Sequence, residues 1–128
     1  TTFTVTSIPV AATASSSISA TLTGGGSQSA PLTVNPPTLS NLTLDPTTVT
    51  QPTSSTGTVT ITGAAPVGGF VVNLLSSDTA VGTVPSTMTV AEGSTTGTFT
   101  VTTLAAGTTT ISASKTGSTT QNAVLNVN

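Results

Sequence analysis

Four side chains carry all the formal charge in this chain: Asp45, Asp78, Glu92 and Lys115. There is no His and no Cys, which removes Ser-His-Asp and Cys-His nucleophile pairs and the usual zinc ligand sets. The three carboxylates stand 33 and 14 residues apart in sequence. A calcium loop instead gathers several acidic or amide ligands within about twelve residues, and nothing in this spacing makes an acid–base pair for glycoside chemistry. Each acid adjoins a turn signal, in Asp45-Pro46, Ser77-Asp78 and Glu92-Gly93, where a carboxylate caps local backbone. No cofactor, no metal and no enzymatic activity are therefore expected. Lys115 could in principle join an Asn in an isopeptide bond, but its place before Thr116-Gly117 reads as an exposed strand end. One Lys and no Arg cannot build a basic patch, so no nucleic-acid partner is expected. With no Trp or Tyr, an aromatic platform for sugars is missing, and a glycan ligand is not expected. Asn41-Leu42-Thr43 is a sequon that makes Asn41 a possible N-glycosylation site.

The elements that hold these residues are strands. About two residues in five are Ser or Thr, far above ordinary usage. Thr is β-branched and fits the solvent face of a pleated sheet. Val59 and Ile61 alternate with Thr58, Thr60 and Thr62, and Phe99 and Val101 alternate with Thr98, Thr100 and Thr102, which is a half-buried strand pattern. Strands are predicted at 38–44, 56–62, 69–76, 80–84, 86–90, 96–103, 108–115 and 119–127, separated by Gly- and Pro-bearing turns. So many short strands at this spacing predict an all-β, immunoglobulin-like antiparallel β-sandwich. The expected core includes Val59, Ile61, Val72, Leu74, Phe99, Val101, Ile111, Leu125 and Val127. In Phe70-Val71-Val72-Asn73-Leu74-Leu75 both faces are apolar. Val71 and Leu75 then point outward as a possible contact strip. No apolar run reaches the 18 residues or so of a membrane span, so no membrane insertion is expected.

The chain also repeats itself. Thr2-Phe3-Thr4-Val5-Thr6 recurs as Thr98-Phe99-Thr100-Val101-Thr102, an offset of 96. Ile18-Ser19-Ala20 recurs as Ile111-Ser112-Ala113, and Ala30, Leu32, Val34 and Asn35 recur as Ala123, Leu125, Val127 and Asn128, an offset of 93. The three-residue difference falls in the loop after Thr6, where repeats vary. The expected organisation is residues 1–35 as the last three strands of a preceding repeat and residues 36–128 as a complete domain. Strands near 1–7, 16–23 and 28–35 are predicted in the partial copy, with Phe3 facing the core as Phe99 does. Asn35-Pro36-Pro37 forms the interdomain joint, held extended by its prolines. Three strands alone leave an apolar face and open edges, so upstream residues or another chain must complete them.

Gly57-x-Val59-x-Ile61, Ala65-Pro66-x-Gly68-Gly69, Val72-x-Leu74-x-Ser76-Ser77, Val84-Pro85-x-x-Met88-x-Val90 and Phe99-x-Val101-x-Thr103 together resemble a bacterial immunoglobulin-like tandem repeat family. Its members are long, Thr/Ser-rich, low-charge cell-surface and secreted proteins. Met88 departs from the Val more usual at its place. The resemblance implies the sandwich fold, an extracellular or cell-surface setting and neighbouring copies as partners. It implies no catalytic residue. Three functions follow as expectations: a structural repeat of a fibre, stalk or adhesin, a subunit of a strand-donation filament, or an accessory or glycan-binding domain of a secreted enzyme.

Overall fold

The computed structural model describes residues 2–128, and Thr1 lies outside the described residues. The described chain is all β. Residues 39–127 form two facing sheets, built from β3 (Leu39–Asp45), β4 (Thr48–Val49), β5 (Ser55–Ile61), β6 (Phe70–Ser76), β7 (Gly82–Thr83), β8 (Thr87–Val90), β9 (Thr96–Thr103), β10 (Gly107–Ser114) and β11 (Gln121–Val127). One sheet has the order β4-β11-β10-β6-β8 and the other β3-β5-β9-β7. Pairing is antiparallel except for the short parallel contact of β4 with β11. This is an immunoglobulin-like antiparallel β-sandwich.

Alternation builds the core. β6 and β9 bury every second residue, with Phe70, Val72 and Leu74 on one sheet facing Phe99 and Val101 on the other. All nine core residues expected from the pattern are buried. β3 breaks the period at a bulge between Leu39 and Asn41, and the extra residue lets Leu39 and Leu42 both point inward. In the register of β5 on β9, Gly57 lies directly opposite Phe99. A Cβ at Gly57 would overlap the Phe99 ring, so the missing side chain makes room for the aromatic one.

Two differences from the sequence pattern have local causes. The strand expected at 80–84 shrinks to β7 because Asp78 organises a turn: its carbonyl accepts from Val81 N at 3.2 Å and Gly82 N at 3.1 Å, and its Oδ1 accepts from Ala80 N at 2.9 Å. β4, which the pattern did not announce, exists because Thr47 and Val49 carbonyls accept from Asn126 N and Asn128 N, each at 2.9 Å, and because Val49 is buried. Two residues between Pro46 and Pro52 are too few to show a period.

A polar pin lies inside the sandwich. Ser76 Oγ donates to the Gly82 carbonyl at 2.6 Å and lies 2.8 Å from Thr109 Oγ1, which also accepts from Asp78 N at 3.1 Å. Ser76 and Thr109 are buried. Thr109→Val removes the hydroxyl that serves both partners and is expected to cost about 1–3 kcal/mol, because buried polar groups then go unpaired. Thr109→Ser keeps the bonds and should lose less. Urea unfolding of the two variants separates these outcomes.

The first third of the chain is different. β1 (Ala14–Thr21) and β2 (Ser27–Val34) form a separate two-stranded sheet, and residues 2–7, predicted as a strand, are not one. The sandwich topology supplies the reason. β10 and β11 pair with each other, but β9 belongs to the opposite sheet and pairs with β5 and β7. Of the three matching segments, two therefore carry their own partners, while residues 2–7 would need strands like β5 and β7 that no part of the described chain offers them. Phe3 is consequently 72% exposed where its match Phe99 is 7% exposed, which corrects the expectation that both rings face a core.

Candidate interaction surfaces

The residues that could have done chemistry stay apart. Asp45, at the end of β3, and Asp78 and Glu92, in two different loops, are all exposed. Glu92 Oε2 accepts from Gly68 N at 3.4 Å, and Asp78 serves its own turn. Among the described residues no group of three or more His, Cys, Asp or Glu could hold a metal ion. Lys115 departs from its expected exposure: it is half-buried, with Nζ 5.0 Å from the centroid of the buried Phe70 ring. This is cation–π distance. The contact joins strands β6 and β10 at one end of the sandwich, a proximity that sequence spacing could not reveal.

Asn41 is exposed on the edge strand β3, beside the bulge. Val71 and Leu75 are 43% and 66% exposed on the outer face of β6, with the exposed Asn73 between them. Asn35 is exposed, and its Oδ1 accepts from Thr13 Oγ1 at 3.4 Å. Pro36 and Pro37 are half-buried and, with Pro66, Phe70 and Lys115, line a small cavity of about 120 Å³.

The most informative surface is on the hairpin. All seven residue pairs between β10 and β11, from Gly107↔Val127 to Ala113↔Gln121, recur between β1 and β2, from Ala14↔Val34 to Ala20↔Gln28, at a constant offset of 93. The turns match as well. Gly25 N donates to the Leu22 carbonyl at 2.9 Å and Ser118 N to the Lys115 carbonyl at 3.0 Å, and Gly24 and Gly117 sit at φ +80° and +81°, a left-handed conformation that glycine adopts without penalty. Pro31 replaces Val124 within the pattern without loss. Asn126 N and Asn128 N point toward β4 rather than β10, so the amide at position 124 has the same outward direction. A proline there forfeits no bond to β1 and blunts the open edge.

On this hairpin no second sheet covers the core-type residues: Ile18 and Leu32 are half-buried, and Ala20 and Ala30 are exposed. Phe3, Val5, Ile18, Ala20, Ala30 and Leu32 line an open apolar groove of about 380 Å³. Their matches Phe99, Val101, Ile111, Ala113 and Leu125 are buried in the sandwich. The internal repeat was the signal that could have located this groove.

The fold and its repeated closing hairpin define an immunoglobulin-like sandwich module, and solved structures show the same architecture. The chain is similar to domains 4 and 5 of the S-layer protein SbsC, with a TM-score of 0.52 and 25% identity over 89% of this chain and 57% of that one. It is similar to domains 4–9 of the same surface layer protein, with a TM-score of 0.51 and 28% identity over 82% of this chain and 16% of that one. The D0–D1 domain of Intimin shares the fold at a TM-score of 0.54 and 18% identity, over 79% of this chain and 56% of that one. The chain thus spans less than two thirds of each of these structures. It matches no protein-family model and no curated protein.

Proposed function

We propose that this chain is a non-catalytic structural module of a tandem array in a cell-surface or secreted protein. In this reading residues 1–35 close a preceding repeat, residues 36–128 form the next one, and Asn35-Pro36-Pro37 joins them. The observation that carries it is the closing hairpin found twice in one register at an offset of 93. The likeness to an S-layer protein supports a surface setting. The uncharged, Thr-rich exterior supports close contact between neighbouring copies, since no ion must be desolvated. Length and chemical resistance are the module's contribution to a fibre, stalk or adhesin. Nucleic acid, membrane insertion, glycan ligands and cofactors have no part in this reading.

The test is a chain in which a second copy of residues 36–96 precedes residue 1, with Thr1→Gly because Met88 packs against the bare Gly97. Two folded sandwiches are expected. Phe3→Ala should then destabilise the added domain as severely as Phe99→Ala does the original one, by about 3–5 kcal/mol, while leaving the stability of the 128-residue chain nearly unchanged. A silent Phe3→Ala in the extended chain refutes the reading.

A further inference from the structure

We propose that residues 2–34 and residues 98–127 are interchangeable closing units, so that the frame of one copy of this chain, β3 to β8, can be closed by the N-terminal hairpin of a second copy. This rests on the repeat reading above and goes further by naming the partner of the apolar groove.

The frame's requirements can be read from the closing unit it already holds. It needs a ring over Gly57, supplied by Phe99, and Phe3 stands at that place in the first copy. It needs Val101, Ile111 and Leu125 in the core, and Val5, Ile18 and Leu32 supply identical side chains. At the two buried polar positions the hydroxyl is retained. Thr103 Oγ1 donates to the Thr53 carbonyl at 3.0 Å and Thr109 serves Ser76 and Asp78, and Ser7 and Ser16 hold the matching places. The edge of β6 that β10 occupies pairs Leu75 with Ser112 and Leu74 with Ala113, and Ser19 and Ala20 would take those positions. The exchange loses buried methyl groups and sets Thr1 against Met88 where Gly97 now lies, which leaves the resident unit moderately preferred.

When this hairpin closes a β3–β8 frame of these 128 residues, that frame belongs to another copy, because the hairpin cannot reach its own. In the closed position Val34 would stand where Val127 stands. Leu39, five residues later, is fixed beside the opposite end of β11, where its N–H donates to Ser118 Oγ at 3.1 Å. The seven residues of β11 span roughly 20 Å, and five peptide steps reach at most about 18 Å, before the separation of the two sheets is added. In trans no such limit applies. The acceptor's own N-terminal hairpin is still open and can enter a third chain, so exchange is head-to-tail and open-ended.

Refolding at high concentration tests this, with light scattering for mass and amide hydrogen exchange for location. Phe99→Ala weakens the resident unit and should raise the ratio of exchanged to closed chains by roughly a hundredfold to a few thousandfold. Ile111→Val, which leaves the sandwich folded, should raise it on the order of tenfold. In the multimers, amides of residues 14–34 should become protected and those of residues 107–127 of the acceptor should lose protection. Adding Phe3→Ala to either variant should remove the multimers. Monomers throughout, or multimers in which residues 14–34 exchange freely, overturn the proposal. If the extended chain of the preceding section closes in cis while no exchange occurs in trans, interchangeability between copies fails and the repeat reading survives. A silent Phe3→Ala in the extended chain overturns both.

Discussion

Phe99→Ala is expected to lower the stability of the sandwich by about 3–5 kcal/mol, with residues 2–34 contributing no compensation at low protein concentration. Phe99 is buried in β9 between the two sheets, over Gly57 and within reach of the shared core. Its removal deletes apolar contact and leaves a cavity that is hard to collapse, because the register of β9 is fixed by its pairing with β5 along 96–101 and with β7 at Thr102 and Thr103. A domain of this size holds roughly 5–15 kcal/mol in all, so the variant should unfold at much lower urea concentration with little change in slope. Phe3→Ala in the same chain is the internal control. Its ring is mostly solvent-exposed, and surface substitutions away from special features stay within about 0.5 kcal/mol. Equal effects at the two positions would contradict the packing described above.

Gly57→Val is expected to be the second severe change, by overfilling rather than emptying the core. The cross-strand pair of Gly57 and Phe99 places the ring across the glycine's open face. A branched side chain there must displace the ring or part β5 from β9, which costs about 1–3 kcal/mol or more. The two substitutions should not add. With Phe99 already alanine, the valine introduced at position 57 has space to occupy. The double variant should then be more stable than the sum of single effects predicts by at least about 1 kcal/mol, a coupling expected of residues in direct contact. Additivity in this cycle would show that the ring and the glycine do not share one space.

Surface chemistry follows from the same architecture. The outward faces of most strands are Thr, Ser and Asn in place of Lys and Glu, with Val71, Leu75 and Val124 as apolar exceptions, so the module lacks the charge that keeps ordinary domains apart. What it offers instead is backbone edge and apolar face. Of these, the uncovered hairpin is the larger. It gathers six matched core-type residues along one open groove, whereas Val71 and Leu75 are separated by Asn73. Isolated exposed apolar residues of the second kind are common on soluble proteins.

By itself the sequence determined the class of the fold, the core and the existence of a repeat. Each of these is a local or periodic property. Val59 with Ile61, Val72 with Leu74 and Phe99 with Val101 announce their strands because a pleat turns successive side chains to opposite faces. The absence of His and Cys likewise removes the nucleophile pairs and zinc ligand sets that need those residue types. Tertiary structure decided the rest, because it depends on which strand lies beside which. The pairing of β9 with β5 rather than β10 leaves residues 2–7 outside any sheet and Phe3 in solvent, although residues 2–6 match residues 98–102 of the core strand β9 residue for residue. The two-residue β4 forms because β11 offers it two amides, and Lys115 covers Phe70 because β10 lies beside β6. A residue's type and its neighbours in the chain state what it can bury. Only the sheet on the other side states whether it is buried.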